Sequence, residues 1–257
     1  GTWDFGFDDE NAGEKEKWYQ EFKGDKKINV PFTYETKLSG IQDETRHDFI
    51  WYHRTISVDG EKLENNRYIL HFEGSDFITK VWVNGAYAGS HRGGYARCSF
   101  DVTNLVHDGE NELTVKVEDS YDPQQPRGKQ RWIKENFGCW YIQTTGIWKT
   151  VWSEYVPKIG LASVKMTPDL QNAALKLEYE VDAAEEVLGE DLIVTASVSF
   201  KGVPVAKQSV MANQKHVGTT MNVSYYGSIG LEWGVCTWTP SQPDLYDIDF
   251  TVIYKGE

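Results

Sequence analysis

The sequence is short of nearly every feature that announces a familiar chemistry. It holds three cysteines, Cys98, Cys139 and Cys236, widely spaced, odd in number and without a CxxC pair. That pattern fits a reducing compartment better than a disulfide framework. Its six histidines show no HxH or HExxH spacing, so no metal is expected. No glycine-rich turn opens a helix either. In PRGKQ, Lys129 is followed by Gln130 rather than serine or threonine, and no glycine lies five residues before Gly128, so neither a phosphate cradle nor a nucleotide cofactor is expected. Basic residues are scarce: 26 Lys and Arg against 39 Asp and Glu give a net charge of -13. Without a basic stripe to displace counterions, nucleic acid is excluded as a partner. No apolar run approaches the ~20 residues that cross a bilayer, and the opening GTWDFGFDDE is acidic rather than a basic stretch leading into an apolar one. The sequence reads as soluble and cytoplasmic, with no membrane partner. Helical pattern is scarce too: only AGEKEKWYQEF near the start and AAEEVLG near position 185 carry it, each too short for a scaffold.

What is present is aromatic and alternating. Aromatic residues make up 14% of the chain, with 10 Trp, and must either pack in a core or line a binding surface. From Ile50 onward the runs IWYHRTISV, RYILHFEG, FITKVWVNG, YAGSHRGGY, CSFDVT and NELTVKVED alternate with period two between Gly, Asn and Asp punctuation, which predicts antiparallel strands. Asn84-Gly85 predicts a tight hairpin, and Asp108 to Glu112 a second turn between strands. From Asp119 to Gly146 the rhythm stops in one long connection rich in Pro, Gly, Trp and Tyr, a length that points to a functional loop. Near residue 157 the pattern changes to LASVKMTP, ALKLEYEVDA, LIVTASVSF, VPVAKQSV, TTMNVSYY and LYDIDFTVIY, the signature of an immunoglobulin-like sandwich. The expected domains are residues 1–157 and 158–257, and the fold class is all-β.

Catalytic machinery is not visible. Glycoside hydrolysis needs two carboxyl groups on a rigid scaffold, and the one Asn-Glu dipeptide, Asn111-Glu112, falls in the predicted turn. The remaining signals are WYHR, VWVNG, HRGGY, FDVT and TTGIWKTVW, together with VPFTYE and PRGKQ, in that register. In combination they resemble the N-terminal sugar-binding domain of glycoside hydrolase family 2, the β-galactosidases, β-glucuronidases and β-mannosidases, over nearly all of residues 1–157. LEWGVCTWTPSQPDLYDI is similar to the segment that closes the family's second domain.

The resemblance implies a jelly-roll, galactose-binding-like β-sandwich followed by an immunoglobulin-like β-sandwich. It also implies a catalytic (β/α)8 barrel beyond this chain, which would carry a glutamic acid as proton donor and a second glutamate as nucleophile of a retaining glycosidase. The chain itself is expected to be inactive, to have carbohydrate and that barrel as partners, and to leave homo-oligomerisation open. A free-standing carbohydrate-binding module or lectin is the alternative. On the family pattern the hairpin residue Asn84 reaches the barrel's mouth, an acid that is either Asp119 or Asp122 lines the sugar pocket, and His91, Arg127, Lys129 and Trp140 lie in matching motifs. A sugar site wants aromatic faces and planar polar groups. The long loop offers Trp132, Phe137, Trp140 and Tyr141 for the first, and Asp122, Arg127, Lys129 and Asn136 for the second. The functional surface is therefore expected on this loop and the Asn84 hairpin, and not on the second domain.

Overall fold

The computed structural model describes residues 1–225 and 234–256, in two compact units, Gly1–Val156 and Pro157–Glu257. In the first, the strands are β1 (Thr2–Phe7), β2 (Lys26–Asn29), β3 (Phe49–Val58), β4 (Asn66–Phe72), β5 (Ser75–Asp76), β6 (Ile78–Val83), β7 (Ala86–Arg92), β8 (Cys98–Asp101), β9 (Gly109–Glu118), β10 (Gly146–Ile147) and β11 (Val151–Pro157). The six alternating runs of this half are β3, β4, β6, β7, β8 and β9. One antiparallel sheet has the order β2-β1-β3-β9-β6-β7, and β11-β4-β8 forms a second, with β10-β5 as a short pair. Alternation sends Ile50 and Tyr52 of β3 and Leu113, Val115 and Val117 of β9 into a core shared with Tyr68, Leu70 and Phe72 of β4 and Phe100 of β8. Burial of these apolar faces holds the two layers together as a β-sandwich.

The outer face of the six-stranded sheet is covered as well, and here the structure corrects the helical reading of AGEKEKWYQEF. That stretch is a series of turns, broken at Lys17 with φ 59°. A helix would turn the adjacent Trp18 and Tyr19 about 100° apart. Instead both lie on the sheet: Tyr19 stacks on Trp82 at 5.3 Å, Trp18 rests on Trp51 at 5.9 Å, and Trp51 stacks on Trp82 at 5.4 Å. Asp8 ties down the start of this strap, accepting from the Ala12 and Gly13 amides and from Trp51 Nε1. Gly13 is required there, since a Cβ would stand 2.7 Å from Trp51 Nε1. Beneath the strap Lys116 is 1% exposed, with Nζ 2.8 Å from Glu14, 3.1 Å from Glu118 and 2.7 Å from Asn11 Oδ1. Burial works against the Glu14 carboxylate, yet Lys116 and Lys80 hold its carboxyl below the ordinary glutamate value.

The one α-helix among the described residues, α1 (Gly60–Asn65), is not at either predicted place. Asp59 caps it by accepting from the Glu61 and Lys62 amides. The turn expected over Asp108 to Glu112 is largely strand, because β9 already begins at Gly109 and pairs with β3 and β6 rather than with β8. The Asn84-Gly85 hairpin is present between β6 and β7, with φ 51° and 76°. These are the positive angles that a two-residue turn demands.

Among the buried carboxyls of this unit, Glu35 is poorly satisfied. Glu35 accepts from the Thr145 amide at 3.1 Å, and its other oxygen has no partner among the described residues. Desolvation pushes it up to about 7.

The second unit is a sandwich of two antiparallel sheets, β12 (Gly160–Asp169), β13 (Ala174–Asp182) and β16 (His216–Asn222) against β14 (Leu192–Phe200), β15 (Val203–Met211) and β17 (Tyr246–Tyr254). Leu177 and Tyr179 of β13 meet Val194 and Ala196 of β14 in its core. AAEEVLG forms a single 3-10 turn at Glu185–Val187. Leu231 to Trp233 of LEWGVCTWTPSQPDLYDI, and Tyr226 of TTMNVSYY, lie outside the described residues.

Two outcomes are expected from these features. Lys116→Ala removes the buried one of the two cations, Lys116 and Lys80, that Glu14 and Glu118 share, and lowers stability on the order of 2 kcal/mol, read as a lower urea midpoint. Because Glu35 has a raised folded value, it favours the fold below the ordinary glutamate range and loses that contribution as pH rises through about 7. Stability therefore declines from pH ~5 to ~8, and Glu35→Gln flattens the decline.

Candidate functional site

The connection from β9 to β10 has no strand of its own, so its backbone groups need side-chain partners. Two buried arginines supply them. Arg127 donates to the carbonyls of Ser120 at 3.1 Å, Asp122, and Arg131 at 3.4 Å. Arg131 donates to Gln143 Oε1 at 2.8 Å, to the Glu44 carbonyl at 2.5 Å and to Asn136 at 3.3 Å. Asp119 anchors the loop's root: it accepts from Thr145 Oγ1 at 2.8 Å, from the Gln125 side-chain amide, and from Arg46 at 3.4 Å. The loop folds back on itself through paired backbone bonds, Arg131 N to Tyr141 O and Tyr141 N to Lys129 O, and its tip closes between Phe137 and Trp140.

Against this platform lies a cavity of about 400 Å³, lined among others by Asp76, Tyr95, Arg127, Lys129, Tyr141 and Trp148. Gln130 organises its floor. The amide nitrogen donates to Asp76 Oδ2 at 2.7 Å and to the Tyr95 hydroxyl at 3.3 Å, while its oxygen accepts from the Thr144 amide at 2.8 Å. Asp76 is buried, and its Oδ1 has no partner among the described residues. Desolvation first, and the charge of Asp119 in addition, push its carboxyl up to about 6 against the pull of Gln130 and two arginines. Trp148 is fixed by its Nε1 donating to the Gly94 carbonyl at 2.8 Å.

Of the residues singled out from sequence, Arg127, Lys129 and Tyr141 line this cavity. Asp119, Asp122, Trp140 and Asn84 do not. Asp119 is buried with both oxygens engaged, whereas Asp122 is exposed and caps the following turn through the Gln124 amide at 2.9 Å. Trp140 packs with Phe137 and, through it, Trp132 at the loop tip.

The strand register fixes where Asn84 stands relative to the loop. Val83 pairs with Leu113 and Ile78 with Glu118, so the hairpin and the loop lie at opposite ends of the β6–β9 ladder, about 17 Å apart. The Asn84 amide is occupied by the Leu105 carbonyl, Asn111 Oδ1 and the Glu112 amide. His91 sits on β7, paired with Thr79, and its Nε2 is sealed without a partner among the described residues. Asp76, Gln130, Tyr95 and Trp148 are site residues that the sequence does not single out. All but Asp76 stand inside the motifs that carry the family resemblance, but their convergence across 35 and 54 residues has no local signature.

The sequence model described as "Glycosyl hydrolases family 2, sugar binding domain" matches residues 1–152. A putative beta-glucuronidase of Formosa agariphila is 28% identical over 90% of this chain and 26% of its own length. A beta-galactosidase of Thermoanaerobacter pseudethanolicus is 26% identical over 90% of this chain and 30% of its own. The chain thus spans less than a third of either relative. Among solved structures, the beta-glucuronidase of Lactobacillus rhamnosus superposes on 100% of this chain and 41% of its own with a TM-score of 0.72 at 20% identity. That of an uncultured Clostridium sp. covers 98% and 41%, at 0.69 and 24%. Both likenesses bear on the fold. By the match across residues 1–152, the chain belongs to glycoside hydrolase family 2 and carries that family's sugar-binding domain.

Proposed function

We propose that this chain is the sugar-facing, non-catalytic part of a longer retaining β-glycosidase. Its long loop, held rigid from within, completes the sugar pocket of a barrel supplied elsewhere in the protein. The observation that carries this reading is the platform itself. A loop of this length without strands is ordered by buried arginines, amides and carboxyls, and it presents Lys129 and Tyr141 outward beside the cavity. Rigid placement of that kind suits groups that must hold a substrate in register. The β-galactosidase and β-glucuronidase names of the relatives support hydrolysis of O-glycosidic bonds by the longer protein. In a retaining mechanism two carboxyl groups stand about 5 Å apart across the scissile bond. Asp76 and Glu35 do not suit that role, since Asp76 is held under Gln130 and Glu35 is sealed in the sandwich.

Assayed alone, the chain is expected to release no p-nitrophenol from aryl β-galactosides or β-glucuronides, while a longer protein containing it does. Turnover by the purified chain overturns the reading. Asp119→Ala is expected to cost roughly 1–3 kcal/mol and to speed amide exchange at Arg131 and Tyr141, the residues paired across the loop. Unchanged exchange there would mean that Asp119 does not hold the platform.

A further inference from the structure

Gln130 ties the long loop to the sandwich beneath it, and the tie ends on a carboxyl. Its amide nitrogen donates to Asp76 Oδ2 at 2.7 Å and its oxygen accepts from the Thr144 amide, so one side chain joins the loop, β5 and the approach to β10. Asp76 is 3% exposed, and its Oδ1 has no partner among the described residues. Gly94 lies so close to that oxygen that a Cβ there would overlap it, and the Gly94 carbonyl is held by Trp148 Nε1, so the β7–β8 connection closes that side.

No charged neighbour neutralises this acid by contact. Arg127, from the loop, spends its Nη atoms on the carbonyls of Ser120, Asp122 and Arg131, and its sealed Nε has no partner among the described residues. Arg46, ahead of β3, is shared between Asp48 and Asp119. Both arginines attract Asp76 through space, whereas Asp119, just past β9, repels it. Lys129 is exposed at the cavity rim, and the Tyr95 hydroxyl meets Gln130 rather than Asp76. A second buried acid, Glu35, lies one residue along from Thr144, on the Thr145 amide. Desolvation is the largest influence on Asp76 and, with Asp119, outweighs Gln130 and the arginines, pushing it up to about 6. A carboxyl so raised holds its proton more tightly while the loop covers it than when water reaches it. Lifting Gln130 off Asp76 gives water that access. The closed loop is therefore favoured in full below the ordinary aspartate range, and the advantage is lost as pH rises through about 6. The protonated acid still accepts from Gln130 through its carbonyl oxygen.

We infer that Asp76 and Gln130 form a proton-controlled latch on the long loop. With Asp76 protonated the loop stays down on β5, and with Asp76 ionised it opens more often and carries Lys129 and Tyr141 with it. The latch stands whether or not the longer protein is a glycosidase. Amide exchange at Arg131 and Tyr141, whose N–H groups bond across the loop, reads the opening once intrinsic rates are divided out. An acid at about 6 when covered and in the ordinary aspartate range when open gives about tenfold less protection at pH ~7.5 than at pH ~5. Asp76→Asn, neutral throughout, is expected to reduce that change to under about twofold, while Glu35→Gln keeps it. Carboxyl carbon titration of the unaltered chain needs no variant and is expected to place the Asp76 midpoint near 6. Protection at Arg131 and Tyr141 that ignores pH, a tenfold change that survives Asp76→Asn or vanishes in Glu35→Gln, or an Asp76 midpoint below ~4.5 overturns the latch. If Asp76→Asn does not fold, the titration and the Glu35→Gln exchange decide the matter between them.

Discussion

Everything presented by the long loop depends on how its main chain is satisfied without a ladder. Strands bond their backbones to one another, whereas a connection that folds over a sandwich must find other partners or keep water. Here Arg127 and Arg131 point inward to main-chain carbonyls, Asp119 accepts from three directions at the root, and Gln143 bridges Arg131 to the Thr45 carbonyl. Three charged side chains of this loop, Asp119, Arg127 and Arg131, are thus internal scaffolding, while Asp122, Lys129, Lys134 and Glu135 are exposed. That is why Arg127, chosen by type as a ligand donor, turns out to spend both terminal nitrogens on the loop itself. The groups left facing outward are the ones the scaffold positions.

The sandwich beneath supplies the rigid base. Its larger sheet is buried on both faces, by the opposing strands on one side and by the strap of Trp18 and Tyr19 on the other. Double burial lets β9 carry Lys116 in a dry position and still leave the sheet edge-on to the loop it feeds. The loop begins one residue after β9 ends, where Asp119 N bonds the Asp48 carbonyl beside β3, so sheet geometry passes directly into the platform.

Much of this is legible in the sequence. Period-two alternation locates β3, β4, β6, β7, β8 and β9 and all six described strands of the second unit, because alternation is dictated by one buried face per strand. The Asn84-Gly85 turn is legible because few residues tolerate its angles. The strap reads as helix because local propensity says nothing of the aromatic row on Trp51 and Trp82 to which it must fit. β1 and β2 escape notice for a related reason: TWDFGF and KKIN are short, and TWDFGF depends on β3 for a partner while KKIN depends on TWDFGF. In the site, the residue types read correctly as polar and aromatic but their directions do not. Nothing in the sequence distinguishes an arginine that bonds its own loop from one that meets a ligand, or reveals that Gln130 finds Asp76.

The loop's tip has a different standing from its base. At the tip Trp132, Phe137 and Trp140 pack on one another, and a hydrogen bond from Arg131 to Asn136 ties the tip to the platform. Insertions and replacements between those tryptophans leave the arginine scaffold, the floor of the cavity and the sandwich core untouched. The fold separates a seat tied into the sandwich from a fringe that the sandwich does not lean on, so what the fringe grips can be altered without rebuilding the domain that holds it.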